Sequence, residues 1–128
     1  MAVIKIELDK PVQDFELGGK VFEVRYDDES LKSYEKVYLK MKKAYEDYEK
    51  INDLAATEKQ LQEAEKKMTA LVKELIELYF GKGSFDHVYE ASGKSILNVQ
   101  KVAAFVIKNL NEKATRDLED KAANYLKK

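Results

Sequence analysis

The sequence predicts an α+β protein that is mainly helical. Up to residue 27 apolar residues alternate with polar ones, which is the period of a half-buried strand. After residue 30 they recur at intervals of three and four, which is the period of an amphipathic helix. We therefore expect a small N-terminal antiparallel β-hairpin or three-stranded sheet. A bundle of four to five helices, including a long helical hairpin, follows it.

The length of the chain predicts one domain. A chain of 128 residues can bury a core without cross-links and matches the common size of a single domain. We expect this domain to span residues 1–128. Its regions are a β-strand region (1–27), a long helical hairpin (28–80) and a C-terminal helical region (81–128).

The composition excludes several classes of protein. Charged residues make up 37% of the chain, yet the formal net charge is only −1. Because the two signs are interspersed, we expect no strong nonspecific attraction to nucleic acid or to anionic membrane. The absence of cysteine excludes disulfides, thiolate nucleophiles and cysteine-ligated metals. No signal peptide and no run of about 18 apolar residues is present, so a soluble protein is expected.

The β-strand region contains three candidate strands. Alternation over Val3–Leu8 predicts the first, which Pro11 interrupts because proline has no N–H for a ladder. Gly18 and Gly19 then predict a two-residue hairpin turn in which Leu17 faces Lys20 and Phe15 faces Phe22. In this register one face of the hairpin carries all its large apolar residues, namely Phe15, Leu17, Phe22, Val24 and Tyr26.

Two matching helical patterns follow. Carboxylates at residues 27–29 favour a helix N-terminus. The first pattern, spaced 3, 4, 3, 4, 3, comprises Leu31, Tyr34, Tyr38, Met41, Tyr45 and Tyr48. The second repeats that spacing through Leu61, Ala64, Met68, Leu71, Leu75 and Leu78. Thr57 and Gln60 form a potential capping box, which favours a turn between residues 52 and 57 and an antiparallel helical hairpin. The alternative is one unbroken helix from about Ser30 to Phe80, since no proline or glycine forbids it.

The C-terminal region predicts a short helix followed by a core helix. Gly81 and Gly83 end the preceding helix, and Ser84 is expected to cap a short helix that ends at Ser92. Residues 95–110 are apolar on more than one face, which is typical of the central helix of a small domain. The last segment, residues 111–126, is expected to be a separate amphipathic surface helix.

Two features with apparent chemistry favour a structural interpretation. Gly93, Lys94 and Ser95 open a helix as a phosphate-binding loop does, but Val88 occupies the position of the first glycine that such a loop requires. His87 is the only histidine, so no second imidazole exists for a metal pair or a relay. We expect no catalytic residue, no cofactor and no metal site.

The tyrosines are the candidate binding residues. A closed core usually carries leucine, whereas a seam of tyrosines suits a half-exposed face or a protein contact, because each hydroxyl needs water or a partner. The candidate protein-binding residues on this face and around the glycine-rich junction are Tyr34, Tyr38, Tyr45, Tyr48, Phe80, Phe85 and Tyr89. Interface use and simple boundary packing are both open for the seam.

The junction resembles a known family. The run from Glu77 to Tyr89, which contains Phe-Gly-Lys-Gly-Ser-Phe, is followed by Ser95-Ile96-Leu97 and an apolar helix. Together with the Phe-Glu-Leu-Gly-Gly-Lys-Val-Phe-Glu-Val hairpin, it is similar to the small tail assembly chaperones of long-tailed phages and prophages of Gram-positive bacteria. The resemblance covers the length of the chain as an architecture, and only the hairpin and the junction are specific.

The resemblance implies a non-enzymatic morphogenesis factor of the host cytoplasm that is absent from the mature virion. Such a protein binds the tape measure protein and helps the tail-tube protein to polymerise. The balanced charge separately predicts no nucleic-acid and no membrane partner. Either candidate surface, at Tyr34–Tyr48 or at Phe80–Tyr89, would contact the client or another copy in a homo-oligomer. The alternative is a small nucleic-acid-binding or regulatory helical module, whose binding would weaken steeply with salt.

Overall fold

The computed structural model describes residues 2–53 and 57–126, with side chains described over 2–51 and 57–116. Within these residues it is mainly helical, with one antiparallel sheet, so the predicted α+β class is confirmed. The strands are β1 (Val12–Leu17) and β2 (Lys20–Arg25). The helices are α1 (Asp28–Asp53), α2 (Glu58–Phe80), α3 (Phe85–Ala91) and α4 (Ile96–Leu126).

The predicted hairpin is confirmed in its register. Leu17 pairs with Lys20 and Phe15 with Phe22 across the two-residue turn. Both turn glycines have positive φ, +59° at Gly18 and +78° at Gly19, as the tight turn requires. The predicted apolar face is directed inward: Phe22, Val24 and Tyr26 are buried, and Phe15 and Leu17 pack against the core.

The predicted strand over Val3–Leu8 is wrong, and the sheet has two strands. Alternation meets the local requirement of a strand, but a strand also needs a neighbour that accepts its backbone hydrogen bonds. The N–H of Val12 donates instead to the carbonyl of Lys10 at 2.8 Å, so the chain turns tightly at Pro11. The aliphatic side chains of the segment therefore remain in solvent.

The helical hairpin is confirmed, and one unbroken helix is excluded. The side chain of Thr57 accepts from the N–H of Gln60 at 3.2 Å, and the Gln60 side chain accepts from the Thr57 N–H at 3.1 Å, which completes the predicted capping box. The rings of Tyr34 and Tyr79 lie 4.8 Å apart, so the start of α1 meets the end of α2. The helices are therefore antiparallel; of the predicted turn, residues 54–56 lie outside the described residues.

The start of α1 follows the predicted pattern of carboxylates. The N–H of Ser30 donates to Asp27 Oδ2 at 3.3 Å, and its hydroxyl donates to Asp27 Oδ1 at 2.6 Å. These hydrogen bonds, chiefly the one from the hydroxyl, hold the pKa of Asp27 below its usual value. Asp27 thus caps the first turn of α1.

The buried stripe of α1 is rotated away from the predicted tyrosine seam. Its buried members are Tyr34, Val37, Met41 and Ala44. The tyrosines at 38, 45 and 48 lie half-buried along its border. On α2, Leu78 of the predicted seam is 42% exposed, whereas Val72, Ile76 and Tyr79, which flank that seam, are buried.

One continuous helix, α4, replaces the predicted core helix and separate surface helix. No glycine or proline lies anywhere between Ile96 and Leu126, so nothing in the backbone ends the helix near Asn111. The predicted central position is confirmed by five buried side chains on one face: Val99, Ala103, Val106, Ile107 and Leu110. Side chains from residue 117 onward lie outside the described part of α4.

The glycine-rich junction ends α2 and redirects the chain into α3. Gly81 has φ +107°, and its N–H donates to the Glu77 carbonyl at 3.0 Å. Ser84 does not cap α3 as predicted, because its own backbone is helical. Its hydroxyl donates to the Gly81 carbonyl at 2.6 Å, and the Gly83 N–H donates to the Glu77 carboxylate at 2.8 Å. The junction therefore has a structural role, as its glycines suggest.

The hairpin turn packs directly against α3. A Cβ atom on Gly18 would lie 2.8 Å from the Cβ of Ala91 and 3.1 Å from Nε2 of His87. This close approach allows Nε2–H of His87 to donate to the Leu17 carbonyl at 2.8 Å. The single histidine thus joins two elements distant in sequence, in agreement with its predicted structural role.

Gly18→Ala is expected to lower the free energy of unfolding by about 1–3 kcal/mol more than Gly19→Ala. Both positions have positive φ, but a Cβ at Gly19 meets nothing within 4 Å, so the difference measures the contact with α3. Urea unfolding of the two variants, together with Gly18→Ala/Ala91→Gly, tests this. Equal stabilities, or no recovery in the double variant, would contradict the close packing of turn and helix.

Candidate protein-binding surface

An aromatic cluster fixes the hairpin onto the helices. The ring of Phe22 lies 4.6 Å from that of Phe80, and the ring of Phe15 contacts Phe80 edge-on at 6.5 Å. On its other side Phe15 meets Phe105 of α4, also edge-on at 6.5 Å. Edge-on contacts of this kind are favourable for aromatic rings. The cluster thus places β1 alongside α4.

The outer face of α4 carries an exposed apolar ridge. Leu97 is 51% exposed and Phe105 is 59% exposed, although both belong to a helix whose opposite face is buried. Lys101 lies between them, and the spacing of four places all three on one side of the helix. We call Leu97, Lys101 and Phe105 the α4 ridge. Contiguous exposed apolar patches often mark sites of protein–protein contact.

An apolar groove runs along one side of the ridge, between β1 and α4. It encloses about 380 Å³, and its lining residues are Phe15, Glu16, Leu17, Phe80, Lys101, Val102, Phe105 and Val106. We call it the hairpin groove. Glu16 and Lys101 are its charged members, so the floor is almost entirely hydrocarbon and aromatic ring.

A second groove lies on the other side of the ridge, between α4 and α1. It encloses about 240 Å³, and its lining residues are Tyr38, Met41, Lys42, Tyr45, Leu97, Gln100, Lys101 and Ala104. We call it the tyrosine groove. Hydrogen bonding of Tyr45 to the Glu49 carboxylate raises the pKa of that tyrosine. This groove therefore combines apolar walls with polar groups at its border.

The structure distributes the predicted binding residues unequally. Tyr34 is 4% exposed and packs on Tyr79, so it belongs to the interior. Tyr38 and Tyr45 line the tyrosine groove, and Phe80 lines the hairpin groove. The other three are half-buried elsewhere: Tyr48, and the pair Phe85 and Tyr89, whose rings stack at 5.6 Å on α3.

Sequence reasoning missed the centre of this surface. The sequence places Leu97 and Phe105 in a helix with apolar residues around most of its circumference, a pattern that predicts complete burial. The signal that could have identified them is the same pattern: Val99, Ala103 and Leu110 already fill one face, so apolar residues on the opposite face exceed what one core requires. Leu97 and Phe105 of the α4 ridge are these additional apolar residues.

The Gly93–Ser95 segment has the structural role predicted for it. Gly93 and Lys94 both have positive φ, +74° and +56°. The Ser95 hydroxyl accepts from the N–H of Asn98 at 3.2 Å and so caps α4. Lys94 forms an exposed ion pair with Glu90 at 3.7 Å instead of extending over a phosphate site.

Neither metal ligation nor a membrane span is found in the described parts of the chain. Among those residues, no group of three or more His, Asp or Glu side chains is arranged to hold a metal ion. None of the described helices combines the length and the hydropathy needed to cross a bilayer.

Comparisons of this chain with known proteins identify no relative. No protein-family model matches this chain, and comparisons with curated proteins and with solved structures find no similar chain.

Burial of Tyr79 predicts a loss of stability at high pH. Its hydroxyl donates to the Ala103 carbonyl at 3.0 Å, and burial raises its pKa well above the usual value of about 10. The stability gained by burying the neutral Tyr79 hydroxyl is therefore fully present below pH 10. Above that pH the unfolded chain releases the proton first, so stability falls by up to about 1.4 kcal/mol per pH unit.

Tyr79→Phe is expected to cost about 0.5–1.5 kcal/mol at neutral pH, because one buried hydrogen bond is lost. Above pH 10 the variant should lose stability less steeply than the unaltered chain. Urea unfolding between pH 8 and pH 11.5 measures both effects. Parallel curves for the two proteins over this range would show that Tyr79 does not remain neutral in the folded state.

Proposed function

We propose that this chain is a non-enzymatic tail assembly chaperone of a long-tailed phage or prophage of Gram-positive bacteria. In this function it binds the tape measure protein in the host cytoplasm, helps the tail-tube protein to polymerise around it, and does not remain in the virion. The observation that carries the proposal is the α4 ridge with a groove on each side. The family resemblance at the Glu77–Tyr89 junction is the basis for naming the tape measure protein as the client of this surface.

The ridge suits a helical client. Leu97 and Phe105 are eight residues apart on α4, which corresponds to about 12 Å along the helix axis. An amphipathic helix presents apolar side chains at similar intervals, so two successive turns of a client can contact both ends of the ridge. Client side chains on either side of that contact then enter the two grooves. A chaperone of a tape measure protein must prevent the aggregation of a helical client that carries an apolar seam.

The polar groups around the ridge favour reversible binding of such a client. Lys101, between the two apolar residues, is positioned to meet an acidic side chain of the client helix. The hydroxyls of Tyr38 and Tyr45 lie at the border of the tyrosine groove and can remain hydrated in the free protein. A chaperone that must release its client during assembly benefits from this mixture, since a wholly apolar surface would also promote self-association.

Phe105→Asp should weaken binding to the tape measure protein at least about tenfold, because a central aromatic anchor commonly contributes more than 1 kcal/mol. Leu97→Asp should have a similar effect, and Tyr38→Ser/Tyr45→Ser a smaller one. Leu39→Asp is the matched control, since Leu39 on α1 is also exposed, at 55%, but lines neither groove. Pull-down and titration with the tape measure protein encoded beside this gene measure the effect.

Equal binding by Phe105→Asp and the Leu39→Asp control would exclude the ridge as the contact, provided that circular dichroism shows both proteins folded. Failure of the unaltered chain to bind the neighbouring tape measure protein would contradict the function itself. Gene order gives an independent check. We expect a tail-tube gene directly upstream and a very long tape measure gene downstream.

A further inference from the structure

The two grooves beside the α4 ridge differ in charge. The hairpin groove carries one residue of each sign, Glu16 and Lys101, so its charges balance. The tyrosine groove carries two lysines, Lys42 and Lys101, and no carboxylate among its lining residues. In a chain whose formal net charge is −1, the tyrosine groove is therefore a local excess of positive charge.

The two lysines of the tyrosine groove have no acidic partner. Neither Lys42 nor Lys101 forms an ion pair with a carboxylate in the described part of the chain. Lys42 belongs to α1 and Lys101 to α4, so the two lysines come from opposite walls of the groove. Glu49 of α1 does not line the groove, and it already interacts with the hydroxyl of Tyr45. An anion in the groove would therefore have a cation on each side.

Gln100 adds a hydrogen-bond donor that has no acceptor. Its side chain lines the tyrosine groove, and its amide Nε2 is buried without a hydrogen-bond partner among the described residues. A buried N–H group that has lost water and gained no acceptor lowers stability, so such groups are commonly completed by a water, an ion or a ligand. A carboxylate accepts hydrogen bonds from an amide and from an ammonium group alike.

We infer that the tyrosine groove is a carboxylate subsite, which holds a glutamate or aspartate of the client helix between Lys42 and Lys101 and accepts the N–H of Gln100. Hydrogen bonds from such donors to an ionised acceptor are stronger than those between neutral groups. The hydrocarbon part of the acidic side chain packs against Met41 and Ala104, which also line the groove. The identity of the client rests on the proposed function, whereas the chemistry of the subsite rests on the groove alone.

The subsite selects one flank of the client helix. In an α-helix whose apolar seam passes through positions i and i+7, positions i+3 and i+4 lie on opposite flanks of that seam. When the seam lies on the α4 ridge, one of these positions faces the tyrosine groove and the other faces the hairpin groove. An acidic side chain is favoured only on the first flank, because the hairpin groove is almost entirely hydrocarbon and its lysine is opposed by Glu16.

Fluorescence anisotropy of the full chain with three labelled helical peptides tests the subsite without the tape measure protein. All three peptides carry leucine at i and i+7. The first has glutamate at i+3 and glutamine at i+4, the second has the reverse, and the third has glutamine at both. One glutamate peptide should bind about threefold to tenfold more tightly than the third, and the other should bind within about twofold of it. The preference should shrink between about 50 mM and about 500 mM salt, because the lysines are exposed.

Substitutions in the chain assign the preference to the groove. Lys42→Met should reduce the preference for the glutamate peptide to less than about twofold, and Gln100→Leu should reduce it by about half, with binding of the glutamine peptide unchanged. Lys43→Met is the matched control, since Lys43 is also exposed on α1 but lines neither groove. Gln100→Leu should not lower the urea midpoint of the free chain, because it removes a buried donor that has no partner.

Three results would overturn the inference. The first is an equal preference for both glutamate peptides, which would indicate a general attraction to the surface. The second is a preference that Lys42→Met leaves unchanged. The third is displacement of the glutamate peptide by an equal concentration of single-stranded oligothymidine, which would assign the groove to phosphate.

The tape measure protein separates this inference from the proposed function. Binding that Phe105→Asp weakens and Lys42→Met does not would leave the chaperone function standing and overturn the subsite for that client. A clear preference for one glutamate peptide, without binding of the tape measure protein, would support the subsite and contradict the function.

Discussion

The close approach of the hairpin turn to α3 is the contact on which the candidate surface depends. Gly18 has no Cβ, so the Leu17 carbonyl can reach His87 of α3, and the inner face of the hairpin lies flat on the helices. That position brings Phe15 and Phe22 onto Phe80. A side chain at Gly18 would separate the turn from α3. The hairpin groove, which needs β1 beside α4, would then lose one of its walls.

The two faces of α4 have different surroundings. One face, with Val99 and Ala103 among its buried members, packs against the rest of the domain and stabilises it. The opposite face carries Leu97 and Phe105 in solvent. The α4 ridge is therefore carried by a helix whose opposite face is already packed in the core. A binding site on such an element keeps its geometry without a partner.

Much of the fold followed from local signals. The glycine pair at the turn and the alternation beside it gave the hairpin register, and Thr57 with Gln60 gave the start of α2, because each signal works through neighbouring backbone groups. The strand over Val3–Leu8 failed for the opposite reason: pairing needs a neighbour, which alternation does not supply. The break predicted near Asn111 failed because a change in hydrophobic pattern does not end a helix.

The candidate site was only half visible in the sequence. Spacing identified Tyr38, Tyr45 and Phe80, which do line the two grooves, but it grouped them with Tyr34, which is interior. A helical seam fixes which residues share a side of α1. Its rotation against α2 depends on how both helices meet α4, and that is set by packing across the whole domain.

By itself, the sequence determined the mainly helical class, the hairpin and its register, the helical hairpin, and a chain without cysteine and with a single histidine. These properties depend on composition or on contacts between near neighbours. Only the tertiary structure decided that His87 joins α3 to the hairpin turn, that Tyr34 is buried, and that Leu97 and Phe105 form a ridge between two grooves. Each of these depends on which face of one element meets another, and periodicity defines faces without specifying their partners.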